Sequence, residues 1–408
     1  MSSLQQTIPF QANKEEENQR TNSFHVSNPT TTTNLSLPTE TFLKAAISLK
    51  EQVHSHKGVE REWWRVYRPT VYTGLLGTVF TCLRSYEAYG NEEDLLLCAE
   101  IVDTCAVVAH TFKRHVTFLC GRGGVYALGA VVANYRHDDQ RRELFLNLFL
   151  EVAQERALPI GLEEGGFGMS YELLYGRAGF LWAALFINKY LGQDTLPKNL
   201  LMPVVEAVLA GGRAGASNHT SCPLMFRWHG TRYWGAAHGL AGILHVQDSV
   251  AADLSDSQDP AIYNLQCFSR EALGAQRQQG ILSVVLREPP IHAESVFPND
   301  REFHDAAIEA GETVWNKGLV KKMGLSDGVS GNAYALLSFY RLTGKSVYLQ
   351  RANVFASFLF HNARDLVFAG HVRGSDRAYS LFEELSGTAC LLFDVFSPER
   401  SRFPGFEL

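Results

Sequence analysis

Six times in this chain a Gly-x-x-Gly phrase, or a close variant of it, runs straight into a stretch of about ten apolar residues. The copies are Gly74-Leu-Leu-Gly77, Gly121-Arg-Gly-Gly124, Gly176-Arg-Ala-Gly179, Gly239-Leu-Ala-Gly242, Gly328-Val-Ser-Gly331 and the weaker Glu384-Leu-Ser-Gly387. The closing glycines Gly77, Gly124, Gly179, Gly242, Gly331 and Gly387 stand 47, 55, 63, 89 and 56 residues apart, so the fourth interval is long enough for two units. Its midpoint, near Arg287, falls in Ile281-Leu-Ser-Val-Val-Leu-Arg-Glu-Pro-Pro290, where no glycine pair stands. Self-similarity at a roughly fixed period marks a repeat architecture, because one unit cannot bury its apolar face without neighbours.

Each unit has two parts. The runs after the glycines, such as Phe180 to Ile187 and Asn332 to Tyr340, are rich in Ala and Leu and lack the alternation of a half-buried strand, so they are predicted to be buried inner helices. Between them, Glu92 to Lys113, Arg141 to Glu155, Asp300 to Asn316 and Val347 to Arg364 carry apolar residues at helical spacing with charges on the other face, and are predicted to be outer helices. A glycine pair at a helix start lets backbones crowd together. The expected fold is all-α: an α/α toroid, a closed double ring of helical hairpins whose inner-helix N-termini gather at one mouth, with a degenerate fifth unit. The toroid is expected over residues 41–408, behind a disordered polar tail at 1–40 that holds the run Pro29-Thr-Thr-Thr-Thr-Asn34 and shows no hydrophobic periodicity.

A chain of 408 residues that is 46% hydrophobic can bury a large core, and its net charge of −6 offers no basic excess for nucleic acid. No apolar run reaches the roughly 18 to 20 residues of a membrane span: Asn188-Lys189 stops one candidate and Gln247-Asp248 another. Seven cysteines without a Cys-x-x-Cys pair suit a reducing cytoplasm better than a disulfide framework.

Longer phrases carry a family resemblance. Tyr233-Trp-Gly-Ala-Ala-His-Gly-Leu-Ala-Gly-Ile-Leu-His245, Glu172-Leu-Leu-Tyr-Gly-Arg-Ala-Gly-Phe-Leu-Trp182, Gly328 to Tyr334, Ser380 to Gly387 and the closing Arg402-Phe-Pro-Gly-Phe-Glu-Leu408 resemble, in order, the eukaryotic LanC-like (lanthionine synthetase C-like) family, above all its plant members. The resemblance implies seven inner and seven outer helices, and a zinc ion at the mouth that activates a thiol for addition to dehydroalanine or dehydrobutyrine, the eukaryotic members adding glutathione. A thiol bound to zinc is deprotonated near neutral pH, and an acid must then protonate the carbon left by addition.

The resemblance also shows what is missing. The family's zinc ligands are a Cys in a Trp-Cys-x-Gly-x-Pro-Gly phrase opening the fifth unit and an adjacent Cys-His before the sixth glycine motif. Here Ser326-Asp327 stands where Cys-His is expected, and the fifth phrase is absent. Reading Val284 to Pro290 as GTG GTG CTA CGG GAG CCC CCN, the overlapping frame gives Trp-Cys-Tyr-Gly-Ser-Pro, which points to a frameshifted stretch over 281–293; residues 281–298 are expected to be loop or a poorly packed helix. Cys222, Cys267, His229 and His238 are potential replacement donors, but no pair has ligand spacing on one element, so no metal site and no cofactor are expected.

Carried over by the same resemblance, His238 is the candidate general acid and Glu172 a matching acidic position; on the residues alone they read as a core histidine and a helix-start carboxylate. Lys321 and Arg373-Gly374-Ser375-Asp376 match the positions that hold glutathione, where cations suit its carboxylates and an acid its ammonium. As ordinary sequence they read as solvated surface groups.

Three functions follow: a catalytically impaired scaffold or signalling protein with an unidentified protein partner, in line with the abscisic-acid role proposed for the plant branch; a glutathione-adding enzyme; and a carbohydrate-active toroid, for which Glu172, Asp327 and Glu383 or Glu384 would have to supply paired carboxylates. Without zinc, glutathione binding is expected to be weak. The expected location is cytoplasmic, with room for peripheral association at the plasma membrane.

Overall fold

The computed structural model describes residues 39–55, 68–112, 115–158, 169–216, 222–253, 301–320, 322–368, 380–383 and 385–408. In chain order the helices are α1 (Thr39–Ser55), α2 (Leu76–Tyr89), α3 (Glu92–Ala109), α4 (Arg122–Tyr135), α5 (Asp139–Val152), α6 (Arg177–Leu191), α7 (Lys198–Ala216), α8 (Leu240–Asp253), α9 (Arg301–Lys317), α10 (Val329–Thr343), α11 (Ser346–Phe368) and α12 (Leu385–Phe396). Two two-residue strands, β1 (Arg227–Trp228) and β2 (Thr231–Arg232), form the single hairpin among the described residues. No helix there is long and apolar enough to cross a membrane.

The expected division into inner and outer helices holds. The even-numbered helices follow the glycine phrases, and α4, α6, α10 and α12 are buried along nearly their whole length, as helices apolar all round must be. Around the inner ring α2 touches α4, α4 touches α6, α6 touches α8, α10 touches α12, and α12 returns to α2. Outside, α3 bridges α2 and α4, α5 covers α4, α7 covers α6, α9 covers α10, α11 covers α10 and α12, and α1 lies across α12 and α2. Lys50 of α1 seals that closure: its ammonium is buried and donates to both oxygens of Asp94 on α3, at 2.6 and 2.8 Å, and to the Tyr89 hydroxyl at 2.9 Å. The polar tail expected to run to residue 40 gives way to α1 at Thr39. The expected fifth unit and the segment 281–298 lie outside the described residues.

The glycines are needed for close approach rather than for unusual dihedrals. The loop before each inner helix folds back over the first turn, so a Cβ on the second glycine would run into the carbonyl oxygen six residues earlier: Phe118 for Gly124, Leu173 for Gly179, Ala236 for Gly242, Leu325 for Gly331 and Leu381 for Gly387. The loops are then stitched to one another around a rim. Ser326 N donates to Phe382 O at 3.0 Å, Phe382 N to Tyr72 O at 3.3 Å, Tyr72 N to Leu119 O at 2.9 Å, and Thr117 Oγ1 to Leu174 O at 2.6 Å. The inner helices thus begin at one common rim.

The ring's axis is filled by the chain's own end. Phe406 O accepts from Trp182 Nε1 of α6 at 3.0 Å and pairs with His245 Nε2 of α8 at 2.7 Å. Arg341 of α10 pairs with Glu407, whose other oxygen accepts from Phe403 N at 2.7 Å. Phe403 and Phe406 pack against each other and against Phe382 of the rim.

Candidate functional site

The residue just before the first glycine of a unit stands at the entrance of its inner helix, and in three successive units it is Cys120, Tyr175 and His238. These are the chemistry-bearing groups of the rim. Glu172 lies in the loop before α6 and is 2% exposed. Its oxygens accept from Leu174 N at 2.6 Å, Tyr175 N at 2.8 Å and Ser170 Oγ at 3.0 Å, and Oε2 meets His238 Nδ1 at 3.2 Å. Such a set of donors matches an acceptor-only carboxylate, which places the imidazole proton on Nδ1 and leaves Nε2 for the mouth.

The face of the same imidazole is covered by Trp228. The hairpin turns through His229 (φ 48) and Gly230 (φ 78), both in the left-handed region of a two-residue turn, and pairs Trp228 with Thr231. Its base is fixed to α7 through Met225 N to Gly212 O at 2.9 Å, and Phe226 packs on Tyr171 at 5.5 Å. Trp228 and His238 stack with centroids 3.7 Å apart, while Tyr175 lies nearly parallel to both at 6.5 and 6.2 Å.

Beyond Tyr175 the polar lining continues. Tyr175 and Cys120 are hydrogen-bonded side chain to side chain; burial pushes the Cys120 thiol up to about 12, with the Glu172 carboxylate adding to the effect, and burial pushes the Tyr175 phenol up to about 12 as well. Tyr72 stacks on Phe382 at 4.4 Å and hydrogen-bonds Ser326, and its phenol is also raised by burial, to about 12. His238, Glu172, Tyr175, Cys120, Tyr72 and Ser326 form a belt in which burial keeps the two phenols and the thiol protonated and Glu172 accepts hydrogen bonds from its neighbours.

The structure therefore brings Glu172 and His238 together, 66 positions apart in the chain. Glu172 is not at a helix start: it caps the turn at Leu174–Tyr175. Lys321, Arg373, Gly374, Ser375 and Asp376 lie outside the described residues, as does Cys267. Of the other candidate donors, Cys222 is buried with its thiol on Leu224 O at 3.0 Å, and His229 is exposed at the hairpin turn. Cys120, Tyr175, Tyr72 and Trp228 were missed by sequence reasoning. The first two had a signal, the same place before the glycine as His238; Trp228 had none.

A zinc ion held by two thiolates and an imidazole does not fit the residues at 326 and 327. Ser326 Oγ donates to Phe382 O at 3.3 Å, and Asp327 is an exposed carboxylate paired with Lys322 at 3.2 Å. Cys120, the thiol of the belt, is a protonated thiol. Among the described residues no three of His, Cys, Asp and Glu gather closely enough to hold a metal. Nor do Glu172 and Asp327 read as the acid pair of a glycosidase, since one is bound into its own loop and the other into a surface ion pair.

Comparison with known proteins places the geometry. The family model described as "Lanthionine synthetase C-like protein" matches residues 65–261 and 285–408. The interruption at 262–284 overlaps the suspected stretch 281–293 only at its first four residues. LanC-like protein GCL1 of Arabidopsis thaliana is 54% identical over 398 residues, covering 92% of this chain and 90% of that protein. Glutathione S-transferase LANCL1 of Danio rerio is 30% identical over 363 residues, covering 83% and 85%. Among solved structures, nisin cyclase matches with a TM-score of 0.62 at 13% identity, covering 89% of this chain and 95% of its own, which supports the toroidal fold.

Proposed function

This chain belongs to the lanthionine synthetase C-like family, and from that premise we propose that it is a member which keeps the acid–base half of the family's mouth and has lost the half that activates a thiol. It acts in this reading as a catalytically impaired scaffold or signalling protein in the cytoplasm, with a protein partner and at most weak affinity for glutathione. The abscisic-acid link proposed for the plant branch belongs to this reading. The observation that carries it is the state of the sixth unit, where Ser326 is bonded to Phe382 O and Asp327 to Lys322.

A free thiol with an ordinary pKa of about 8.5 is mostly protonated near neutral pH. With no soft donor at 326 or 327, nothing in the described mouth draws that proton away. With the imidazole proton on Nδ1, Nε2 would first have to gain a proton before the Glu172–His238 pair could hand one to a carbon or oxygen in the mouth, and no nucleophile is prepared for it.

The deciding experiment measures metal content and activity on the same preparation. Purified protein is expected to hold far less than one zinc per chain and to add glutathione to a dehydroalanine peptide at close to the uncatalysed rate. Stoichiometric, tightly held zinc together with metal-dependent addition would reject the scaffold reading. The glutathione-adding enzyme is the second reading, and the paired Glu172 and His238 favour it.

A further inference from the structure

We propose that the outer face of the β1–β2 hairpin docks an acidic segment of a partner protein, held by Arg227 and Arg232. The two residues are Cα partners across the hairpin, so their side chains leave the same face, and Trp228 with Thr231 leave the other. In a hairpin with a two-residue turn, this second pair out is the kind without mutual backbone hydrogen bonds, in which side chains stand closest. Two like charges directly opposite each other are unfavourable there. Neither is neutralised by a carboxylate among the described residues. Arg227 is exposed and reaches only Gly230 O, at 3.4 Å, Arg232 Nε is shielded from water without an acceptor, and neither forms an ion pair among the described residues.

The face they occupy decides the kind of ligand. Trp228 turns its side of the hairpin onto His238, so the arginines point away from the mouth, where a small substrate of the ring would not reach them. Their position at the rim suits a macromolecule lying across the outside of the toroid. A chain of net charge −6 repels an extended polyanion or an anionic membrane, whereas a short run of carboxylates needs only a local pair of guanidinium forks. The exposed His229 at the turn adds a donor beside them.

This names the partner chemistry of the scaffold reading and rests on it to that extent. The probe is a labelled Gly/Ser peptide carrying a run of glutamates, titrated onto the full chain by fluorescence anisotropy, beside a glutamine-for-glutamate control. The unaltered protein should bind the glutamate peptide in preference to the control, with affinity falling as salt is raised. Arg227→Ser with Arg232→Ser should weaken it about tenfold, the sum expected for one exposed and one half-buried charge pair. Should that variant fail to fold, Arg227→Gln alone, at an exposed position, should weaken binding about threefold. Equal binding to glutamate and glutamine peptides, or unchanged affinity in the arginine variants, overturns the proposal. So does a result in which phosphatidylserine vesicles or inorganic phosphate, rather than the peptide, lose affinity in those variants. Peptide docking is read without any glutathione chemistry, so vigorous addition activity would remove the scaffold reading and leave the docking face standing, and absent peptide binding would do the reverse.

Discussion

Trp228 lies flat on the imidazole of His238, with ring centroids 3.7 Å apart and planes 9° from parallel. The indole comes from a hairpin in one loop and the imidazole from the entrance of α8, and Glu172 holds the imidazole's edge at 3.2 Å from a third segment. Stack and hydrogen bond together restrict the ring to one plane and one tautomer. Trp228→Leu should therefore give mixed histidine tautomers in 15N spectra, with the fold retained, while Trp228→Phe should keep the single Nδ1–H form. A leucine variant with one unchanged tautomer would show that Glu172 alone is enough.

Glu172→Gln should destabilise the protein by about 1–3 kcal/mol, because an amide nitrogen would face donors that now bond to a carboxylate oxygen, leaving one of Leu174 N, Tyr175 N or Ser170 Oγ unsatisfied in a buried site. Ser326→Ala removes from a half-buried hydroxyl its 3.3 Å bond to Phe382 O and its bond to Tyr72, and should cost about 1 kcal/mol, less than Glu172→Gln. Urea denaturation of the two variants side by side tests the ranking.

Restoring Ser326→Cys and Asp327→His together should leave glutathione addition near its background rate. A thiolate and an imidazole at one unit make two ligands, and a catalytic zinc site needs three protein ligands and an open position. Recovery of robust activity in this double variant would mean that the third ligand is already present in the chain.

Stability should fall with acidification for a reason lodged far from the mouth. Burial holds His245 down to about 4, from an ordinary value near 6.5, although its bond to Phe406 O pulls the other way. The unfolded chain therefore takes up this proton first as pH drops. His245 leaves stability unchanged above pH 6.5 and lowers it between there and about 4, by at most about 1.4 kcal/mol per pH unit. Burial raises Asp394 and Glu407 in the same region, and their effect on stability has the opposite sign as pH rises through their range. The comparison is thus with His245→Gln, which should show a shallower loss from pH 6.5 to 4; parallel curves would exclude His245 as the cause.

The ring and its mouth were legible in the sequence because both are written locally. A glycine six residues after a carbonyl makes the same contact in five units, so the repeat survives as a pattern, and the position before the glycine repeats with it. The partnership of Glu172 with His238 was not legible, since it exists only once neighbouring units are set side by side. Trp228 was still less so: its hairpin is two residues a side, too short for a period to show, and is held by packing on Tyr171, α7 and His238. The closing Arg402–Leu408 stood out as a phrase, yet only the closed ring shows that it fills the axis.

That last arrangement sets an order of events during folding. Helix α1 meets α12, which lies far along the sequence from it, and Phe406 O serves Trp182, 224 positions away, and His245, 161 positions away. Until Phe403 to Leu408 are seated, the partly folded toroid has an open seam and an unfilled axis, and its longest-range contacts are still unmade. Seating of Phe403 to Leu408 is therefore a late step of folding, and removing these residues would take from α6 and α8 the carbonyl that joins Trp182 to His245.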